Sequence, residues 1–423
     1  MNKILILLLS FFFITAQISA QGLFDKIKEK VKDRVDQKTD EAIDEGLDKT
    51  DEEITKDSEE QESEQAEENE EESDAPEPIK KSSDEKKPKD KLQTYSKYDF
   101  VPGEKVIFYE DFAQDALGDF PALWNTNASG EVMTTNLLPG KWFKIKNEGA
   151  FIPEVFTEPF PENYTIEYDV IPQKYKEDAQ NVNYEFAIYA DETGNDFTGI
   201  IPGYGGVKIN YGIYGHNYSG WSEGHYTKTG DSEQNPLVED QLQHVSIWIQ
   251  KQRMRVYLDG VKVFDVPKLL ETDKKYNFIR FNIWGCEGEP LVSNIRFAVG
   301  APDMRSKLLT EGKLVTRGIL FDVNSDKIKP ESYGTLKQIA GVLQENADVR
   351  VKIIGHTDSD GADAANLELS KKRSVSVMNF LNKEFSIDAS RMETDGKGES
   401  EPSDKNDTPQ GKANNRRVEF IKL

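Results

Sequence analysis

From about residue 105 to 300, apolar side chains return at every second position, and no helical rhythm interrupts them. The stretches "KVIFYEDF", "YTIEYDVIP", "NYEFAIYAD", "GGVKINYGIYG", "HVSIWIQ", "RMRVYLDGVKVFDV", "YNFIRFNIWG" and "VSNIRFAVG" read as strands. Val245, Ile247 and Ile249 share one face of their strand; Ile279, Phe281 and Ile283 share one face of theirs. Asp259–Gly260, between alternating flanks, signals a two-residue hairpin. Consecutive strands with turn signals between them predict an all-β antiparallel sandwich over residues 101–300. An outer-membrane barrel of eight strands fits the same length. Charged and polar residues recur opposite the apolar ones, however, and leave no sustained lipid-facing band.

The hairpin "HVSIWIQKQRMRVYLDGVKVFDV" and the strand "VSNIRFAVG" give this region a resemblance to the concanavalin/laminin-G class of jelly roll. That resemblance implies a glycan ligand, or a glycan hydrolase that the rest of the chain tethers to a cell wall. Hydrolysis needs two carboxylates flanking a cleft, and no strand here carries an E-x-D-x-x-E spacing. The aromatic-rich stretch "YGGVKINYGIYGHNYSGWSEGHY" offers Tyr214, Tyr218 and Trp221 as a candidate sugar platform. The same aromatics would serve equally as core.

The N-terminus "MNKILILLLSFFFITAQISA" has a lysine, an apolar run and a small residue at Ala20, the pattern of a signal peptide over residues 1–20. No cysteine adjoins Ala20, so a lipid anchor there is not expected. Over residues 21–50, Phe24, Ile27, Val31, Val35, Ile43 and Leu47 recur at helical spacing, giving a narrow amphipathic stripe that can self-pair as a coiled coil or meet a partner. Residues 51–90 hold 18 acidic and 6 basic side chains, and half of the chain's net charge of -24. With almost nothing apolar to bury, residues 51–100 are expected to be a disordered, self-repelling linker. Such a balance argues against a nucleic-acid partner. The single cysteine, Cys286, reads as a small buried hydrophobe.

After a connector over residues 301–316, the period changes. "GILFDVNS" predicts a strand and loop, "KPESYGTLKQIAGVLQENA" a helix started by Pro330, and "VRVKIIG" a strand. A second helix follows, with Asp363 as its cap; "RMETDGKGES" reads as a strand or extended arm, and "TPQGKANNRRVEFIKL" as a short helix or turn and a last strand. The pattern predicts an α/β domain over residues 317–423, with helices packed on a mixed sheet. Within it Asp358 follows a strand, and Arg373 lies fifteen positions later on a helix. Helical geometry puts Asn366, Ser370, Arg373 and Val377 on one face, with Leu367, Met378, Leu381 and Phe385 toward the core. On spacing alone, an Asp–Arg bridge and a receptacle for a zwitterion are equal readings.

The runs "LFDVNSDKIKP", "GHTDSDGADAANLELSKKRSVSV", "GKGES" and "NDTPQGKANNRRVEF", in that order, resemble the OmpA-like C-terminal domain, the peptidoglycan-binding module of outer-membrane proteins, lipoproteins and flagellar stator proteins. The resemblance implies that Asp358 and Arg373 hold the diaminopimelate of the stem peptide, with Asn366 in the same pocket. Diaminopimelate carries an ammonium and a carboxylate on one carbon; an aspartate accepts from the first, and a guanidinium binds the second through two parallel donors. Thr357, Asn324, Ser370 and Arg416 are further candidates for this pocket. Where the family has alanine after the arginine, this chain has Ser374. The four histidines show no metal-ligand spacing, and no catalytic residue, metal or cofactor is expected. The expectation is an exported, non-enzymatic protein of a Gram-negative cell envelope, periplasmic or associated with the outer membrane.

Overall fold

The computed structural model describes residues 98–423 except 137, 147, 175–179, 193–196, 198, 284–286 and 301–302. The signal peptide, the helical stripe, most of the acidic linker and Cys286 therefore lie outside the described residues. Among the described residues, the strands of the first fold are β1 (Lys105–Glu110), β2 (Trp124–Thr126), β3 (Ser129–Met133), β4 (Trp142–Lys146), β5 (Ala150–Pro153), β6 (Asn163–Ile171), β7 (Asn183–Ala190), β8 (Gly205–Gly212), β9 (Gly215–Ser222), β10 (His225–Ser232), β11 (Gln243–Gln250), β12 (Arg253–Leu258), β13 (Val261–Val266), β14 (Phe278–Asn282) and β15 (Leu291–Val299). One sheet runs β13-β12-β11-β6-β15-β4-β3, with β1 also on β15; the other runs β10-β9-β8-β7-β14-β5-β2.

The two sheets pack face to face. Val245, Ile247 and Ile249 from one, and Ile279, Phe281 and Ile283 beside them, enter a single apolar core. That is the expected antiparallel sandwich. The barrel alternative fails because two separate sheets, each with its own edges, cover this core. Asp259 and Gly260 form the tight β12–β13 turn with φ of 48° and 78°, the left-handed backbone that such hairpins require.

The second fold begins earlier than the change of period suggests. Residues 301–316, expected as a connector, contain helix α1 (Met304–Leu309) and strand β16 (Lys313–Thr316). Strand β16 pairs with the last strand, β19 (Arg417–Lys422), through Leu314 opposite Phe420. The sheet order is β16-β19-β17-β18, where β17 is Val351–His356 and β18 is Met392–Gly398. The β17–β18 pair is parallel and the others antiparallel, so the sheet is mixed. Helices α2 (Tyr333–Glu345), α3 (Asp363–Phe385) and the short α4 (Pro409–Asn415) complete it. The "GILFDVNS" segment is a loop rather than a strand, pinched by one bridge between Phe321 and Ile328. Asp363 is the first residue of α3 rather than its cap; Ala362 holds the cap position without a side-chain bond.

Helix α3 lies unusually close to the sheet. A Cβ on Gly355 would stand 2.3 Å from the Ser370 carbonyl oxygen, and one on Gly396 would stand 2.4 Å from the Lys371 nitrogen. Only small side chains fit beneath the helix there, so Ser370 and Ser374 are buried and Leu367 is turned outward, 39% exposed. Leu367 was expected in the core. The close approach reverses that part of the helix face, while Val377 and Leu381 further along are buried as expected.

The two folds are joined by packing as well as by chain. Tyr98, Phe100 and Val101 lie in one apolar cluster with Trp248 and Tyr257 of the sandwich and with Leu336, Ile339 and Leu343 of α2. The end of the expected linker is therefore a buried plug. Around it, Glu167, Asp169, Ser246 and Arg296, on the outer face of the first sheet, are buried too.

Candidate functional site

The site is assembled where the loop before α2, the end of β17, the helix α3 and the start of β19 meet. On α3, Arg373 donates from Nε to the Ser325 carbonyl (2.9 Å), and its guanidinium carbon lies 4.8 Å from the centre of the Phe321 ring. One edge of the fork is thus fixed and one face is covered. Its two Nη nitrogens have no hydrogen-bond partner among the described residues, which leaves the two-pronged edge available. Burial pushes this guanidinium down from its usual range, opposed by the Asp358 carboxylate nearby.

Asp358 follows β17. Its Oδ1 accepts from the Asp360 amide at 3.1 Å, and its Oδ2 accepts from Arg416 Nη1 at 2.6 Å. The Asp358–Arg373 bridge that the spacing admits is not made among the described residues. In the structure the partner of Asp358 is Arg416, and Arg373 is coupled to Asp358 only through space. The Asp358 side chain retains 11% of its surface and that of Arg416 37%, so the pair borders solvent. Burial works against the charge on Arg416, but Tyr109, Asp358 and Asp111 together hold its pKa above the usual value. The neighbouring Arg417 points the other way, to Glu419 at 2.9 Å.

The remaining candidates divide by role. Asn366 directs Nδ2 at the Asp358 and Asp360 carbonyls (3.3 and 3.1 Å) and at Glu399 Oε2 (2.5 Å), which shapes the turn carrying Asp358. Ser370 is sealed: its hydroxyl donates to the Leu367 carbonyl and accepts from the Gly398 amide, both at about the length of an ordinary bond (2.8 and 2.9 Å). It locks helix to strand and cannot reach a ligand. Thr357 is buried, and its Oγ1 has no hydrogen-bond partner among the described residues. Asn324 is exposed on the loop, in the left-handed region at φ 52°.

The aromatic platform expected in the sandwich is not assembled. Trp221 is buried on the outer face of the second sheet, where its Nε1 donates to the Pro202 carbonyl. Tyr218, three positions earlier, points to the opposite face and packs edge-on against Phe264 at 5.1 Å. Tyr214 alone is open, 74% exposed at a hairpin turn. An odd spacing along a strand puts residues on opposite faces, which is why no common surface forms.

Two residues of the site escaped the sequence reading. Phe321 lies within the "LFDVNSDKIKP" run, and its place beside Arg373 was in principle visible there. Tyr109 lies on β1 of the sandwich, with its ring centre 5.2 Å from the Arg416 guanidinium carbon; nothing local marks it.

A model described as the OmpA family matches residues 320–416. The probable lipoprotein YiaD of Escherichia coli is 39% identical over 128 residues, covering 28% of this chain and 58% of that protein. Outer membrane porin F of Pseudomonas aeruginosa is 38% identical over 101 residues, covering 24% of this chain and 29% of the porin. The chain thus spans less than two thirds of the length of either relative. A carbohydrate binding module, CBM66 of Bacillus subtilis, is similar at 14% identity and a TM-score of 0.30, covering 42% of this chain and 96% of the module.

Proposed function

We propose, from the premise that residues 320–416 form an OmpA-family domain, that this chain is a non-catalytic cell-envelope protein that binds peptidoglycan and so holds its sandwich at the wall. The ligand is the diaminopimelate side chain of the stem peptide. Arg373 takes its carboxylate on the free two-pronged edge of the guanidinium, and Asp358 accepts from its ammonium. Asn366 keeps the turn carrying Asp358 in shape, while Asn324, exposed on the loop, borders the peptide.

The observation that carries this reading is the state of Arg373. Its Nε is tied to Ser325, its face rests on Phe321 and, among the described residues, its Nη edge has no partner, with the Asp358 carboxylate nearby. That edge is therefore open to an acceptor that a ligand brings. A guanidinium held this way loses little freedom on binding a planar carboxylate. Asp358 must exchange part of its bond to Arg416 for the incoming ammonium, which favours a ligand that brings its own carboxylate to the same place.

The test is retention of the full chain on purified peptidoglycan sacculi. Arg373→Ala and Asp358→Ala are each expected to abolish retention while circular dichroism and the melting temperature stay near wild type. Retention of both variants at the wild-type level would refute the pocket.

A further inference from the structure

We infer that Tyr109, in the sandwich, is a positioning residue for this site, so that the peptide pocket is complete only when the two folds are docked. The inference rests on the proposed pocket and extends it across the boundary between the folds.

Arg416 is long and flexible, and its one carboxylate bond to Asp358 does not fix where the guanidinium lies. Two features of the sandwich do. The first acts on the main chain. Asn414, at the end of α4, behaves as a short strand against the edge of β1: its Oδ1 accepts from the Val106 amide (3.2 Å) and its Nδ2 donates to the Val106 carbonyl (3.0 Å). Ala413 packs on Val106 and Ala298 beside it. The backbone two residues before Arg416 is therefore pinned to the sandwich. The second acts on the side chain. The Tyr109 ring, three residues along β1, sits at cation–π distance from the Arg416 guanidinium.

The ring itself is held. Tyr109 donates its hydroxyl to Asn294 Oδ1 at 2.9 Å; Asn294 donates to Asp169 Oδ2 at 2.8 Å; Asp169 Oδ1 meets His244 Nδ1 at 2.6 Å. Asn294 reaches this place because β15 changes register against β6 between Ser293 and Arg296, with Asn294 at φ 53°. A bulge beside a functional site re-aims a side chain in just this manner. The chain of bonds runs from the buried face of the sandwich to the ring, and through the ring to the group that holds Asp358. With Arg416 held, Asp358 keeps its orientation, and the distance between its carboxylate and the Arg373 fork is set before the peptide arrives.

The experiment measures binding of the soluble tripeptide L-Ala–γ-D-Glu–meso-diaminopimelate to the full chain by calorimetry. Tyr109→Ala is expected to weaken binding about five- to tenfold, the range of a partly desolvated cation–π contact. Tyr109→Phe, which keeps the ring over Arg416 but loses the hydroxyl bond that holds it, is expected to lose less than Tyr109→Ala, about two- to threefold. In an Arg416→Ala background the Tyr109→Ala loss should vanish, because the ring then has nothing to place. Wild-type affinity in Tyr109→Ala overturns the inference. So does an equal loss with and without Arg416, or an equal loss in Tyr109→Phe and Tyr109→Ala, since these mark a general effect on the fold. Arg373→Ala is measured alongside: if it binds like wild type, the pocket itself is wrong, and this inference falls with it.

Discussion

The chemistry of the proposed pocket depends on which partner each charged group has before a ligand arrives. Asp358 is already bonded to Arg416, and the two Nη nitrogens of Arg373 have no partner among the described residues. An Arg373→Lys variant retains the charge but replaces the fixed fork with a single mobile ammonium. It is expected to lose about ten- to a hundredfold in tripeptide affinity, the worth of hydrogen bonds to a charged group; calorimetry on the folded variant checks this. At this scale the sequence was legible where a residue type has few uses. An aspartate after a strand and an arginine on the next helix stood out as a pair. It was not legible where the same side chain serves two ends. Ser370 occupies the right helix face yet is sealed by the closeness of Gly396 and Gly398. Trp221 belongs to the aromatic stretch yet lies under the loop that follows β7, bonded to Pro202.

The contact of α3 with β17 and β18 sets the distance between Arg373 and Asp358, since one rides on the helix and the other on the strand end. The glycines at positions 355 and 396 permit that contact, because a Cβ at Gly355 would meet only helix backbone, and one at Gly396 would meet the Lys371 nitrogen and the locked Ser370 hydroxyl. Gly355→Ala is expected to destabilise the fold by about 1–3 kcal/mol, the usual cost of overpacking, and to reduce tripeptide binding as the helix is displaced. Denaturant titration and calorimetry on the same sample check both effects; unchanged stability would mean that the helix can retreat freely. While the segment of β18 read equally as a strand or an extended arm, the elements α2, α3 and β17 followed from periodicity and turn residues. Strand β16 did not, because four residues are too few for a period to register and their identity as a strand comes only from pairing with β19. Leu367 faced outward for the same kind of reason: a helix face is assigned by spacing, whereas its distance to the sheet is set by glycines in another element.

Across the molecule, the outer face of the first sheet is the feature that single-chain patterning misread. Its polar residues alternate with the apolar ones along each strand, yet they are buried beside the C-terminal fold, with Trp248 and Tyr257 in the shared core and an ionic layer of Glu167, Asp169, His244 and Arg296 next to it. Burial pushes the His244 imidazole down, yet Asp169, bonded at 2.6 Å, and Glu167, 3.9 Å away, outweigh that and bring it up to about 10. A group raised in the folded state adds stability below its unfolded pKa, near 6.5, and loses it as pH climbs through the folded value. The denaturation midpoint of the wild-type chain is therefore expected to fall between pH 6.5 and about 10, and His244→Gln to flatten that slope. A slope unchanged by the substitution would show that the layer titrates elsewhere. Whether the site does what its geometry suggests is tested most directly by one comparison: calorimetric affinity of the full chain for the stem tripeptide ending in meso-diaminopimelate, against the same tripeptide ending in L-lysine. Lysine keeps the side-chain ammonium and lacks the carboxylate that Arg373 would grip. At least about a tenfold preference for diaminopimelate is the result predicted. Equal affinity for the two peptides, or binding of neither, would contradict it.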